Sequence, residues 1–148
     1  MKLIGIILIA FSIVAAGFKA AARLTARRKI LSSLLISFSE IAQRIRLKQE
    51  RDVIISKVFT APFQIARNGD LDITVTCPRL NGEDTALLGE FIGRLGMGDM
   101  NSQLELCSIY EELFKRNVGY AERAERQKAG MYRTCSLLTA AAVIILLI

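Results

Sequence analysis

Histidine and tryptophan are absent from this 148-residue chain, and only two prolines interrupt it. Without histidine the commonest general base, metal ligand and pH switch is missing. Three cysteines, Cys77, Cys107 and Cys135, stand far apart, with no Cys-x-x-Cys pair and no histidine to complete a zinc set. They read as reduced, packed thiols of a reducing compartment. Basic residues are not interleaved with aromatics, so no stacking platform for nucleic acid is visible. The glycines between Gly93 and Gly98 follow no strand and precede no Lys-Ser or Lys-Thr, so they match neither nucleotide fingerprint. They read instead as turn punctuation between two helices, where glycine supplies tight turns cheaply. Glu111, Glu112, Glu122 and Glu125 fall on a helix face with no pocket to bury them as a pair. No catalytic constellation emerges, and the expectation is a non-enzyme with no cofactor, metal or small-molecule substrate. Disorder is excluded as well, because 52% of residues are hydrophobic and only 23% are charged.

What the chain has in quantity is apolar sequence in two places. Leu3 to Phe18 contains Ser12 as its one polar member, and Thr134 to Ile148 forms the second run. Sixteen residues at about 1.5 Å each reach roughly 24 Å, somewhat short of a hydrocarbon core of about 30 Å. Ala20, Ala21 and Ala22 extend the first run, with Lys19 snorkelling to the headgroups. Met131 and Tyr132 precede the second, and tyrosine suits a membrane–water boundary. The reading is a membrane helix over 1–22 and another over 131–148, with a helical bundle over 23–130. Two alternatives stay open. The first run has a basic start and small residues at 20–22, as a cleaved signal peptide does, although Lys19 interrupts the cleavage region. Both runs are also short enough to be core helices of a soluble protein.

Charge sorts along the chain. Residues 19–57 carry ten basic groups against Glu40, Glu50 and Asp52, whereas 70–112 carry nine acidic groups against Arg79 and Arg94. Lys19, Arg23, Arg27, Arg28 and Lys29 follow the first apolar run, and Arg123, Arg126, Lys128 and Arg133 precede the second. By the positive-inside rule this predicts a cytoplasmic middle and both termini outside. The basic groups read as anchors at anionic lipid, and the acidic stretch as a surface for a basic cytoplasmic partner.

Between the runs the pattern is helical, and the predicted fold is all-α: a small antiparallel bundle continuous with two transmembrane helices. No glycine or proline occurs from Ala20 to Thr60, and Leu24, Leu31, Leu34, Leu35, Phe38, Ile41 and Ile45 recur at threes and fours. The face lapses at 48–52, after which Asp52 is the expected cap of a second helix carrying Val53 to Phe59. The 61–82 segment holds both prolines, Asn68-Gly69 and Asn81-Gly82, and reads as a loop or distorted helix. Ile73 to Thr76 has β-propensity there but no visible partner strand. Asn81 reads as the N-cap of a helix over about 83–95, which buries Leu87, Leu88, Phe91, Ile92 and Leu95 and ends at Gly96. Asp99 then caps a last helix whose apolar positions Met100, Leu104, Cys107, Phe114, Val118 and Ala121 keep a near-heptad rhythm into the final run.

Phe91 to Gln103, with Gly93, Leu95, Gly96, Asp99 and Gln103, resembles the turn of the stage III sporulation protein AB family. Lys128 to Thr134 followed by an apolar tail is similar to that family's close. Lys2 to Gly5 with Gly17-Phe18 and a basic helix is similar to its start. The 61–82 segment departs from the family by looking shortened. The resemblance implies a membrane protein of endospore formation that acts in a transenvelope channel between mother cell and forespore. It further implies a helical domain similar to that of the inner-membrane platform proteins of type II secretion. As partners it implies a secretion-type cytoplasmic ATPase and other stage III sporulation membrane proteins. The competing function from the residues alone is a small holin-like pore.

Overall fold

The computed structural model describes residues 2–67 and 73–147, with side chains from 4 to 67 and from 73 to 146. Asn68-Gly69, marked as a turn by its sequence, lies outside the described residues. Among the described residues the fold is all-α apart from one antiparallel pair of short strands. Contacts divide the chain into two compact units, Met1–Arg28 with Tyr120–Ile148, and Lys29–Gly119.

The first unit is an antiparallel pair of helices. Helix α1 runs without a break from Lys2 to Arg46 and gives this unit its first part. The return helix follows a π-helical turn, Glu125–Ala129, and continues as Gly130–Leu147. Small side chains fill the seam: Ala10 and Ala21 on α1, and Ala129, Ser136 and Ala140 on the return, are all buried. Gly17 lies directly against this return helix, where an added Cβ would stand 3.0 Å from the Tyr132 carbonyl and closer still to Ser136. Small residues let two helix backbones approach where large apolar side chains gain nothing by leaving lipid. The bulky residues point outward accordingly; Ile7, Phe11, Leu138 and Ile145 are exposed.

The second unit packs around three phenylalanines. Phe38 from α1 meets Phe91 edge-on at 4.9 Å between ring centroids and Phe114 at 5.4 Å. Aromatic pairs in this range favour edge and offset contacts because of the ring quadrupole. Phe91 belongs to α3 (Gly82–Arg94) and Phe114 to α4 (Met100–Ala124), taking the labels in chain order after α2 (Arg51–Val58). On α1 the predicted stripe is the buried one, through Leu31, Leu34, Phe38, Ile41 and Ile45. Asn81 caps α3, its side chain accepting the Asp84 amide hydrogen at 2.7 Å. Asp84 itself is fully buried and accepts from the Asn117 carboxamide at 2.9 Å, a carboxylate in the first turn where the helix dipole favours negative charge.

Three expectations from the sequence are corrected. The segment 61–82 is neither a loop throughout nor a distorted helix. Strand β1 (Gln64–Arg67) pairs antiparallel with β2 (Ile73–Thr76), Gln64 opposite Thr76 and Arg67 opposite Ile73. Ile73 and Val75 of β2 are buried and the strand lies against α3, whereas all four residues of β1 are exposed. A strand with no inward face has no alternation to betray it, and burial of its partner supplies the pairing. Asp52 is not the cap of α2. The cap position is Glu50, which makes no side-chain cap bond, and Asp52 lies in the first turn, paired with Arg67 at 2.5 Å. Cys135 is the third: expected as a packed thiol, it is exposed on the return helix, whereas Cys77 and Cys107 are buried.

Candidate functional site

The glycine-rich turn between α3 and α4 is built around one side chain. Leu95, buried, caps α3 with its amide on the Phe91 carbonyl. Gly96 and Gly98 follow at φ of +87° and +95°, values that side chains with a Cβ rarely adopt. Gln103, one turn into α4, is buried and reaches back to this turn. Its Oε1 accepts the Gly96 amide hydrogen at 2.8 Å and its Nε2 donates to the Met97 carbonyl. Asp99 accepts from the Ser102 amide at 3.3 Å and from the Ser102 hydroxyl. These bonds hold its carboxyl below the usual carboxylate range. Gly93 stands in the last turn of α3 with open space where its Cβ would be, so packing does not require glycine there.

The end of α1 comes to the same place. Its backbone closes with the Gln49 amide on the Arg44 carbonyl and the Lys48 amide on the Ile45 carbonyl. This is the paired Schellman closure, whose left-handed position glycine usually fills. Here Lys48 fills it, at φ +54°. Arg51 next packs its methylenes against Gly96, where a Cβ would stand 3.1 Å from Cδ, and donates to the Ile92 carbonyl at 2.7 Å. Between these two turns opens a cleft of about 180 Å³, with Ile54, Leu95 and Met100 among its walls and Lys48, Arg51 and Gln103 at its polar edge.

A second cluster belongs to the helix pair. Glu125, in the π turn, accepts from the Thr25 hydroxyl at 2.7 Å and from the Arg28 guanidinium at 2.5 Å. The Arg133 guanidinium lies over the Phe18 ring, 5.8 Å from its centroid, a favourable placement of cation against ring face. Lys19, Arg23, Arg126 and Lys128 are exposed in this unit, Arg27 is half-buried, and Lys29 is exposed in the other. Nine basic residues in the helix-pair unit face only Glu122 and Glu125, while the bundle unit is close to balanced. Ile4–Arg46 and Met100–Leu146 are both long and apolar enough to cross a membrane, the first with mean hydropathy 2.2 and the second 1.5 in their most apolar windows.

Residues 61–148 match the family model of stage III sporulation protein AB. The chain belongs to the stage III sporulation protein AB family. The match takes in the 61–82 segment, with its strand hairpin, as well as the glycine turn and the return helix. Membership brings a role in stage III of sporulation, and the two long apolar helices support a membrane location for this family member. Neither the curated proteins nor the solved structures contain a match to the chain. Gly93, Leu95, Gly96, Asp99 and Gln103, the residues that carry the resemblance, gather in one turn. Lys48 and Arg51, which complete its cleft, went unmarked in the sequence because they lie where the apolar face of α1 lapses.

Proposed function

We propose that this protein is a non-enzymatic, platform-type membrane subunit of a secretion-like channel between mother cell and forespore. In this reading residues 1–22 and 131–148 span the membrane. Residues 23–130 form the cytoplasmic body on the mother-cell side, with both termini outside. The body docks a secretion-type cytoplasmic ATPase, and the membrane helices contact other stage III proteins. The observation that carries the reading is the concentration of basic residues in the same unit as the outward-facing apolar side chains. Such a collar favours anionic lipid at the cytoplasmic face. Family membership supplies the sporulation setting.

Cysteine-accessibility mapping tests the topology, with reporters near residues 1, 85 and 148. Termini reactive from outside and residue 85 reactive only from inside is the expected result, and the opposite pattern overturns the reading. Co-purification of the ATPase from detergent tests docking; its failure with intact protein removes that part. Leakage of liposomes by the isolated protein would favour a pore acting alone.

A further inference from the structure

We infer that the cleft between the α1–α2 turn and the α3–α4 turn binds an acidic segment of a partner protein carrying a bulky apolar side chain beside its carboxylates. The inference rests on the docking reading above and names the surface and the chemistry of its occupant. Two cations, Lys48 and Arg51, border the cleft, and no carboxylate is among the described residues that line it. This is a local exception in a unit where acidic and basic groups nearly balance. Glu50 and Asp99 share the two turns but do not line the cleft, and Asp99 is turned to Ser102. The Lys48 ammonium makes no ion pair among the described residues.

The walls are apolar, and the rim offers apolar area to spare. Leu47 is 70% exposed and Met97 68% exposed, each beside a residue that lines the cleft. Methionine adapts its unbranched chain to irregular apolar partners, which suits a binding rim. Charge complementarity therefore selects an anionic partner, and the walls select an apolar side chain to fill the space.

The backbone makes the same point independently. Glycine at position 48 would relieve the left-handed strain, yet a lysine stands there and lines the cleft. A residue held against its backbone preference at the border of a cleft is accounted for by what its side chain does.

The test uses the full chain in nanodiscs and a labelled amphipathic peptide with leucines on one face and glutamates on the other. Controls replace its glutamates by lysine or its leucines by serine, and binding is read by fluorescence anisotropy. The difference between wild type and variants carries the result, since partition into lipid is common to both. Expected are binding of the acidic peptide, at least about tenfold weaker binding of either control, and at least about tenfold weaker binding to Lys48→Gly and Lys48→Glu. Lys48→Gly separates binding from folding, because it is expected to be the more stable protein while binding less. Affinity unchanged in both Lys48 variants, or equal binding of the lysine peptide, overturns the inference. So does a Lys48-dependent self-association without peptide binding, which would assign the cleft to a second copy of this chain.

The same variants in the ATPase co-purification keep the two ideas apart. An ATPase retained by wild type and by Lys48→Glu alike leaves docking standing and removes the cleft as its site. No retention by wild type, with Lys48-dependent peptide binding intact, removes the ATPase and leaves the cleft for another acidic partner.

Discussion

Gln103 holds Gly96 by its backbone: the carboxamide oxygen accepts the Gly96 amide hydrogen at 2.8 Å while the same group donates to the next carbonyl, that of Met97. One buried side chain thus satisfies a donor and an acceptor of the turn that follows helix α3. Replacing it by Leu is expected to lower the stability of the bundle unit by about 1–3 kcal/mol, the cost of leaving such groups unsatisfied. Gln103→Glu keeps the acceptor but loses the donor, and is expected to be destabilising too. Urea-dependent labelling of Cys77 and Cys107, both buried in this unit, in a Cys135→Ser background measures the effect. Labelling midpoints equal to wild type in both variants would remove the turn's dependence on Gln103.

Gly96 is constrained twice, by φ +87° and by the Arg51 methylenes 3.1 and 3.2 Å from where a Cβ would stand. Gly98 shares the backbone constraint at φ +95°, but its nearest neighbour is Ser102 Cβ at 3.6 Å, an ordinary contact. Gly96→Ala is therefore expected to cost more than Gly98→Ala, the strain alone being worth about 1–2 kcal/mol. The same labelling midpoints rank the two, and the reverse order would contradict the packing argument.

Lys48→Gly is expected to stabilise the bundle unit by about 1 kcal/mol, because glycine accepts the left-handed conformation without the Cβ penalty. A lowered midpoint would show that the lysine side chain contributes packing that outweighs its strain.

Gly17→Val should open the helix pair, since any Cβ there meets Ser136 and the Tyr132 carbonyl. Gly5→Val, with nothing within 4 Å of its Cβ, is the silent control. Disulfide formation between Thr25→Cys and Glu125→Cys reports closure. The yield should fall with Gly17→Val and stay level with Gly5→Val.

Alkali should weaken the bundle unit. Burial, with Glu111 nearby, pushes the Cys107 thiol from 9.0 up to about 11. An unfolded chain loses that proton at lower pH than the folded one. The stability contributed is thus whole below pH 9 and is lost as pH rises through about 11. Tyr110, raised by burial and by its hydrogen bond with Glu90, acts in the same sense. Urea midpoints at pH 8 and pH 10.5, followed by circular dichroism, should separate less in Cys107→Ala than in wild type.

The helices were legible wherever one face is buried over several turns. Leu31, Leu34, Phe38, Ile41 and Ile45 announce themselves by spacing, and Asn81 announces the start of α3 by its capping chemistry. Strand β1 was illegible because it buries nothing on either face. Asp52 misled because a capping residue and a first-turn acid look alike in one dimension; its pairing with Arg67 comes from the hairpin. The cleft was hidden for a different reason. It joins the ends of two helices whose turns lie far apart in sequence, and only their meeting puts Lys48 and Arg51 beside Gly96 and Gln103.

The π turn at 125–129 acts on the seam of the helix pair as a phase corrector. Ala121 and Ala129, both buried, are eight positions apart, which in an unbroken α-helix puts them about 80° out of step. One extra residue wound into a π turn reduces that mismatch to about 20° and lets the small side chains carry on through Ser136 and Ala140. Excising Gln127 removes that extra residue, so the turn can relax to α with the seam still within about 20° of Ala121 and Ser136 still against Gly17, whereas an α-helical turn that kept all five residues would swing the seam by about 100°.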